Sequence, residues 1–348
     1  MKRFLPDLFT ILLVLAVVIA TVLPIHGRPA GWFKIATDIA IGLLFFLHGA
    51  RLSRDVVIAG VLHWRLHLVI LLTTFAVFPL LGLAIGFIPA SILPPSLYAG
   101  ILFLCALPST IQSSIAFTSI AEGNVPAAIC AASGSNILGM FLTPLLAGFL
   151  LSSEANAGFS MGVLESILLQ LLAPFILGQL LQPLIGKWIR DRKKLLMPVD
   201  RGSILMVVYL AFSNAVMEGI WRTLSVADFA VLIVIDSALL AVVLCLTMFG
   251  SRALGFSRED EITITFCGSK KSLASGIPMA NAIFASQPSS IGAIVLPLMF
   301  FHQIQLMACA VIAQKYANRL HKSDAAAIAA KDAEAPRAAT KDIAAAPR

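Results

Sequence analysis

Residues 229 to 250, FAVLIVIDSALLAVVLCLTMFG, form an unbroken apolar stretch with a single charged side chain, Asp236. At 1.5 Å of rise per residue, such a run coiled as a helix covers the roughly 30 Å of a bilayer's hydrocarbon core. Residues 8 to 25, LFTILLVLAVVIATVLPI, have the same character. They follow Lys2 and Arg3 as a signal peptide would, but the run is too long for a cleaved apolar region, and PIHGRP after it offers no small-x-small site, so it reads as a retained span. Hydrophobic residues make up 59% of the 348 positions and charged ones 12%. That charged share is about half that of a soluble domain, so lipid is the solvent of this fold.

Apolar runs punctuated by charge, Pro or Gly place spans near 8–25, 34–50, 65–88, 97–121, 125–151, 162–186, 203–219, 227–250, 260–285 and 290–313. With the N-terminus inside, alternation puts Lys2, Arg3, Arg51, Arg54, Arg65, the stretch KWIRDRKKLLMPVDR (187–201), Arg252, Arg258, Lys315, Arg319 and Lys322 on one face. Only Arg28, Lys34 and Arg222 fall on the other. This lysine and arginine bias marks a cytoplasmic face. The expected fold class is therefore an all-α membrane protein of ten transmembrane helices in the inner (plasma) membrane, with both termini cytoplasmic. The net charge of +7 belongs to that face and requires no nucleic acid.

The basic stretch at 187–201, expected as a loop, divides the spans five and five. An odd number per half makes the second half enter the membrane in the opposite sense, giving two inverted five-helix repeats, 1–151 and 162–322. From 323 to 348 the alanine-rich SDAAAIAAKDAEAPRAATKDIAAAPR has no apolar stripe to bury and reads as a disordered tail, with helix as the alternative. Cys105, Cys130, Cys245, Cys267 and Cys309 stand singly in apolar surroundings without CxxC spacing, so they read as small core residues and not as a metal site or disulfide framework.

The fourth span of each half is interrupted. In LYAGILFLCALPSTIQSSIAFTSIAEGN, Pro108 is followed by Ser109, Thr110, Gln112, Ser113 and Ser114; in EITITFCGSKKSLASGIPMANAIFA, Gly268, Gly276 and Pro278 surround Ser269, Lys270, Lys271, Ser272 and Ser275. Proline removes a backbone donor and crowds the preceding turn. Unwound backbone at membrane depth is tolerated only against protein or a water-filled cavity. A plain proline kink with serines bonded to the previous turn is the alternative for either span alone. Two polar breaks at corresponding positions of two halves instead mark a transporter binding site.

Lys270 and Lys271 are the sharpest feature, because one charge at a helix centre costs on the order of 2.5 to 3.5 kcal/mol. If span nine began after them, the residues from Ser272 to Ala285 would be too few to cross. Asp236 is the other deep charge and the candidate partner of Lys270 or Lys271, either as an ion-coupling pair or as a static one. Asp38 and Glu218 fall nearer span ends and read as interfacial. His48, His63 and His67 flank the first inside loop as pH gates or as interface anchors. His302, Gln303 and Gln305, in FFHQIQL, lie deeper and are expected at a cavity.

The phrases FFLHGARLS, LPSTIQSSIAFTSIAEGNVPAAI and TFCGSKKSLASGIP, with GNV at 123–125 after the first break, resemble the bile acid:sodium symporter superfamily over about residues 5 to 320. The nearer likeness is to its SBF-like branch, that of solute carrier family 10 member 7 and its bacterial relatives. This resemblance implies a core domain of spans three to five and eight to ten, a panel domain of the rest, and discontinuous helices four and nine crossing in the core. The family's sodium ligands, a glutamate and a glutamine of the ninth span and two hydroxyls of the fifth, fall by alignment at Phe266, Lys270, Ala128 and Ala132. A hard cation bound through oxygens is not expected beside an ammonium that replaces its ligand. Ser113, Ser114, Ser133, Ser135 and Asn136 still offer oxygen, and Ser113, Ser114, Ser133 and Asn136 are the set expected for any bound Na+; no other cofactor is expected.

The function read from these features is secondary active transport of a small organic anion by alternating access. Coupling is to sodium, as the resemblance implies, or to protons or to no ion, with Lys270 or Lys271 replacing sodium. The reading of another class is a non-transporting membrane regulator on the same scaffold. An enzyme is disfavoured by the lack of GxSG, HExxH or a nucleotide-binding glycine loop, and primary active transport by the missing P-loop. The expected partners are a small anionic substrate and the lipid bilayer, with oligomeric state open.

Overall fold

The computed structural model describes residues 8–51, 63–152, 161–217, 219, 222, 224–285 and 287–343. Its regular elements are all helical: α1 (Leu8–Val22), α2 (Gly27–Arg51), α3 (Trp64–Leu72), α4 (Phe78–Ile85), α5 (Pro95–Ala106), α6 (Gln112–Ile120), α7 (Val125–Ser152), α8 (Met161–Asp191), α9 (Lys193–Met217), α10 (Val226–Ala253), α11 (Arg258–Gly268), α12 (Leu273–Ile283) and α13 (Ser290–Ile343). Among the described residues six stretches are long and apolar enough to cross a membrane: Gly27–Arg51, Trp64–Ile85, Val125–Leu151, Leu196–Met217, Val226–Ala253 and Ser290–Asn318. Trp64–Ile85 is α3 and α4 joined by a π turn, Thr73–Val77.

The expected loop at 187–201 is instead two helix ends separated by Arg192 alone. Lysine and arginine are good helix formers, so a helix can continue past the point where lipid ends; Arg192 folds back over the Trp188 ring, 4.6 Å from its centroid. The backbone of α13 likewise runs as helix to Ile343, through the segment from 323 expected to be disordered, in keeping with alanine's high helix propensity.

Apolar side chains face outward on several of the long helices, among them Trp32 and Ile39 on α2 and Val234 and Phe249 on α10, as helices bathed in lipid require. The segments leading into the breaks are enclosed. Ile101 to Leu107 are all buried, as are Glu261 to Ser272 along α11 and its break. α2 and α8 pack backbone to backbone: a Cβ on Gly49 would collide with the Phe175 carbonyl, and one on Gly178 with that of Phe46. Small residues that let helix backbones touch are a common basis of helix association in lipid. α5 lies against α13, α9 against α12, and α10 against α11 and α13, which carries the two breaks into the centre of the bundle.

Candidate functional site

Pro108 ends α5 by removing the N–H that would close on Leu104, whose carbonyl accepts instead from Leu107 N at 3.2 Å. A helix that ends inside the membrane leaves carbonyls that need donors. The carbonyls of residues 104 to 109 are each matched here. The Cys105 and Leu107 carbonyls accept from Lys271 Nζ at 2.8 and 2.7 Å, and that of Ala106 from Thr143 Oγ1 at 2.9 Å. The Pro108 carbonyl accepts from the backbone N–H of Ser272 at 2.9 Å, and that of Ser109 from Asn136 Nδ2 at 2.6 Å.

The second break is capped largely by the first. Ser114 Oγ donates to the Phe266 carbonyl at 3.0 Å, Ser109 Oγ to that of Cys267 at 2.5 Å, and Ser269 Oγ to that of Thr265 at 2.6 Å. Gln305 pairs with the backbone of Lys271 on both sides, accepting from its N–H at 3.0 Å and donating to its carbonyl at 2.9 Å. Ser272 accepts from Ser275 N at the start of α12, and Ser275 Oγ donates to Asn136 Oδ1 at 2.7 Å. Asn136 therefore bridges both breaks. Farther along, Asn124 of the GNV turn donates to Asp260 Oδ1 at 2.9 Å and bonds through its N–H to the Glu259 carbonyl, tying the end of α6 to the start of α11.

The adjacent lysines are both fully enclosed, at 0% exposure, and differ in everything else. Lys271 commits its ammonium to three carbonyls, those of Cys105, Leu107 and Thr74 (2.8 Å), with the Phe78 ring 4.1 Å away. The carbonyl of Thr74 is available for a reason written in the sequence. The π turn sends Phe78 N to Thr73, and the next residue, Pro79, has no N–H to give. Since a helix C-terminus carries the negative end of the macrodipole, Lys271 acts as the cap of α5. Lys270 Nζ has no hydrogen-bond partner and sits 3.9 Å from the ring centroid of Phe117 and 5.7 Å from that of Phe266.

Asp236 is also enclosed, with neither carboxylate oxygen hydrogen-bonded, so the pair expected with Lys270 or Lys271 is not formed. The carbonyls around the end of α5 hold one ammonium, and the other lies over Phe117.

The remaining expected residues divide. Thr110 Oγ1 meets Ser113 Oγ at 2.6 Å and Ser114 Oγ at 3.1 Å, and Ser135 Oγ accepts from Ser109 N at 3.1 Å. Gly268 closes α11 beside Thr247 and Thr73. Gln112 opens α6 in an exposed position and Ser133 is half-buried; neither enters the network. On α13, His302 Nδ1 meets Gln305 Nε2 at 2.8 Å and Gln303 is half-buried. Gln305 of this trio reaches the break. Pro278 and Gly276 lie inside α12 and not at the break. His48 bonds to the Leu44 carbonyl of its own helix and His63 is exposed. Asp38 pairs with Lys34 at 2.9 Å, while Arg54 and Glu218 lie outside the described residues.

Three of the four residues named for sodium are bonded within the protein. Ser114 donates to Phe266, Asn136 Oδ1 accepts from Ser275, Ser113 faces Thr110, and Ala128 and Ala132 are buried and apolar. Thr74, Thr143 and Phe117 were not expected at the crossing; of these, only Thr74 left a trace in sequence, through Pro79.

Apolar outward faces around two buried, mutually capped helix breaks define a multi-pass membrane protein of the transporter class. Residues 7–318 match the SBF-like CPA transporter family, and the chain belongs to it. It is 56% identical over 329 residues to the uncharacterized protein PA2026 of Pseudomonas aeruginosa, covering 94% of this chain and 98% of that one. It is 49% identical over 319 residues to "Putative symporter YfeH" of Escherichia coli (strain K12), covering 92% and 95%. With Sodium/bile acid cotransporter 7 of Mus musculus it shares 26% over 317 residues, covering 90% and 93%. Membership of this family makes the chain a transporter and not an enzyme.

Proposed function

We propose that the chain is a secondary active transporter of a small organic anion, and that Lys270 is the group that meets the anion. One observation carries this reading: of two enclosed ammonium groups at the crossing, Lys271 is fully bonded and Lys270 is not. A cation–π contact contributes about 2 kcal/mol when desolvated. An unpaired ammonium at membrane depth costs on the order of 2.5 to 3.5 kcal/mol on the insertion scale, so the rings alone leave it short of a counter-charge. An anionic solute supplies that charge. The full reading has ten spans in two inverted five-helix halves, 1–151 and 162–322, with α5–α6 and α11–α12 as the fourth span of each and both termini cytoplasmic. The Asn124–Asp260 tie, which joins the end of one broken helix to the start of the other, is what opposed directions of those two helices require.

Two relatives carry names that speak of symport or sodium cotransport. In this chain Ser113, Ser114 and Asn136 already bond within the protein at the crossing, which favours transport without sodium. Thermal stability of the detergent-purified protein across a sodium titration, with choline holding ionic strength constant, tests this, because a ligand of the folded state alone raises stability. No sodium-specific shift is expected in the wild type. A saturable shift, retained in Lys270→Met, would return the coupling to sodium.

A further inference from the structure

We infer that Asp236 is a proton-binding site, and that the proton it carries is the one exchanged during transport; this rests on the transporter reading and names its coupling ion. Asp236 is ten residues, or about 15 Å of helix, from the start of α10, which is half the depth of a roughly 30 Å core. Its carboxyl group is at 0% exposure, and both oxygens lack a donor. A carboxylate in such a place without a partner is among the costliest groups a protein can bury; the neutral acid is far cheaper. The nearby cation does not relieve it, because Lys271 is committed to the carbonyls of Thr74, Cys105 and Leu107. Cys105 lies within electrostatic reach of both Asp236 and Lys271, so the carboxyl and the ammonium share the neighbourhood of the end of α5.

This neighbourhood gives proton loss a structural consequence. With the proton in place, Asp236 is neutral and Lys271 stays on the carbonyls. When water reaches α10 and takes the proton, the carboxylate competes for the ammonium, loosens the cap of α5 and frees the crossing to rearrange. None of the other ionisable groups described on the elements packed against α10, the exposed Lys315 included, bonds to Asp236. Glu261 and Tyr316 are bonded to each other, and Glu261 also to Arg252. Arg258, Glu259 and Asp260 are at the opening turn of α11, Cys267 and Cys309 lie within electrostatic reach of Lys270, and His302 meets Gln305.

The test is infrared difference spectroscopy of the purified protein in liposomes, following the carbonyl stretch of a protonated carboxyl through pH steps in the wild type and in Asp236→Asn. The expected result is a band that fades as pH rises and is absent from Asp236→Asn. Asp236→Leu is expected to melt at a higher temperature than the wild type, since it removes an unpartnered polar group. A carboxyl band missing at every pH at which the protein stays folded, or one that never titrates, would overturn the inference. The readout needs no substrate, so its failure leaves the anion reading standing, and loss of anion binding leaves the band in place.

Discussion

Between α5 and α6 the chain unwinds over residues 107–111 and presents only backbone and hydroxyl groups; between α11 and α12 it unwinds over 269–272 and presents two ammonium groups. The carbonyls of the first break form an acceptor surface, while its Ser109 hydroxyl donates to the Cys267 carbonyl beside the second. The second is a donor, and one of its lysines fits that surface completely, while its neighbour has only aromatic rings for company. Two adjacent residues of one type, equally buried, thus serve different ends: one closes the fold, the other is held at a cost. The fold of this chain closes at the crossing with Lys271 itself supplying a positive charge to the end of α5.

The largest effect that would break this comparison is Lys271→Met. It orphans three buried carbonyls, and a buried acceptor left without its partner costs about 1–3 kcal/mol. A large fall in the unfolding midpoint in detergent is expected; a stability near wild type would mean that the cap is ornamental. Next is Asn136→Leu, which unties Ser109, Ala132 and Ser275 at once and is expected to cost about 2–3 kcal/mol in the same assay, as buried polar groups lose partners. A smaller and sharper effect comes from Pro79→Ala. It returns an N–H that can close on Thr74, so in the Lys271→Met background it should recover about 1 kcal/mol while changing the wild type little. Additivity of the two changes in a double-mutant cycle would remove Pro79 from the account.

Both breaks were legible in the sequence because proline, glycine and clustered serines announce them, and Lys270, Lys271 and Asp236 stood out as charges in apolar runs. What they bond to was not legible. The acceptors of Lys271 are backbone carbonyls, which every residue possesses, and only Pro79 and Pro108 mark which of them lack a donor. For the same reason Asp236 looked like a partner for a lysine: charge complementarity is visible in a sequence, whereas a helix end that competes for the ammonium is not. Gln305 was noticeable by type, but its reach to the Lys271 backbone depends on how α13 packs. The basic stretch at 187–201 misled because hydropathy reports where lipid ends, and α8 and α9 both extend beyond that point.

The most direct test of the central claim is a thermal-stability screen of the purified wild type and Lys270→Met against acetate, succinate, taurocholate, sulfate and phosphate at constant ionic strength. Without additives Lys270→Met should be as stable as the wild type or more so, by about 1 kcal/mol, since it removes an unpartnered buried charge. The account predicts that at least one organic anion raises the midpoint of the wild type and leaves that of Lys270→Met unmoved. An equal rise in both proteins, or none with any organic anion, would contradict it.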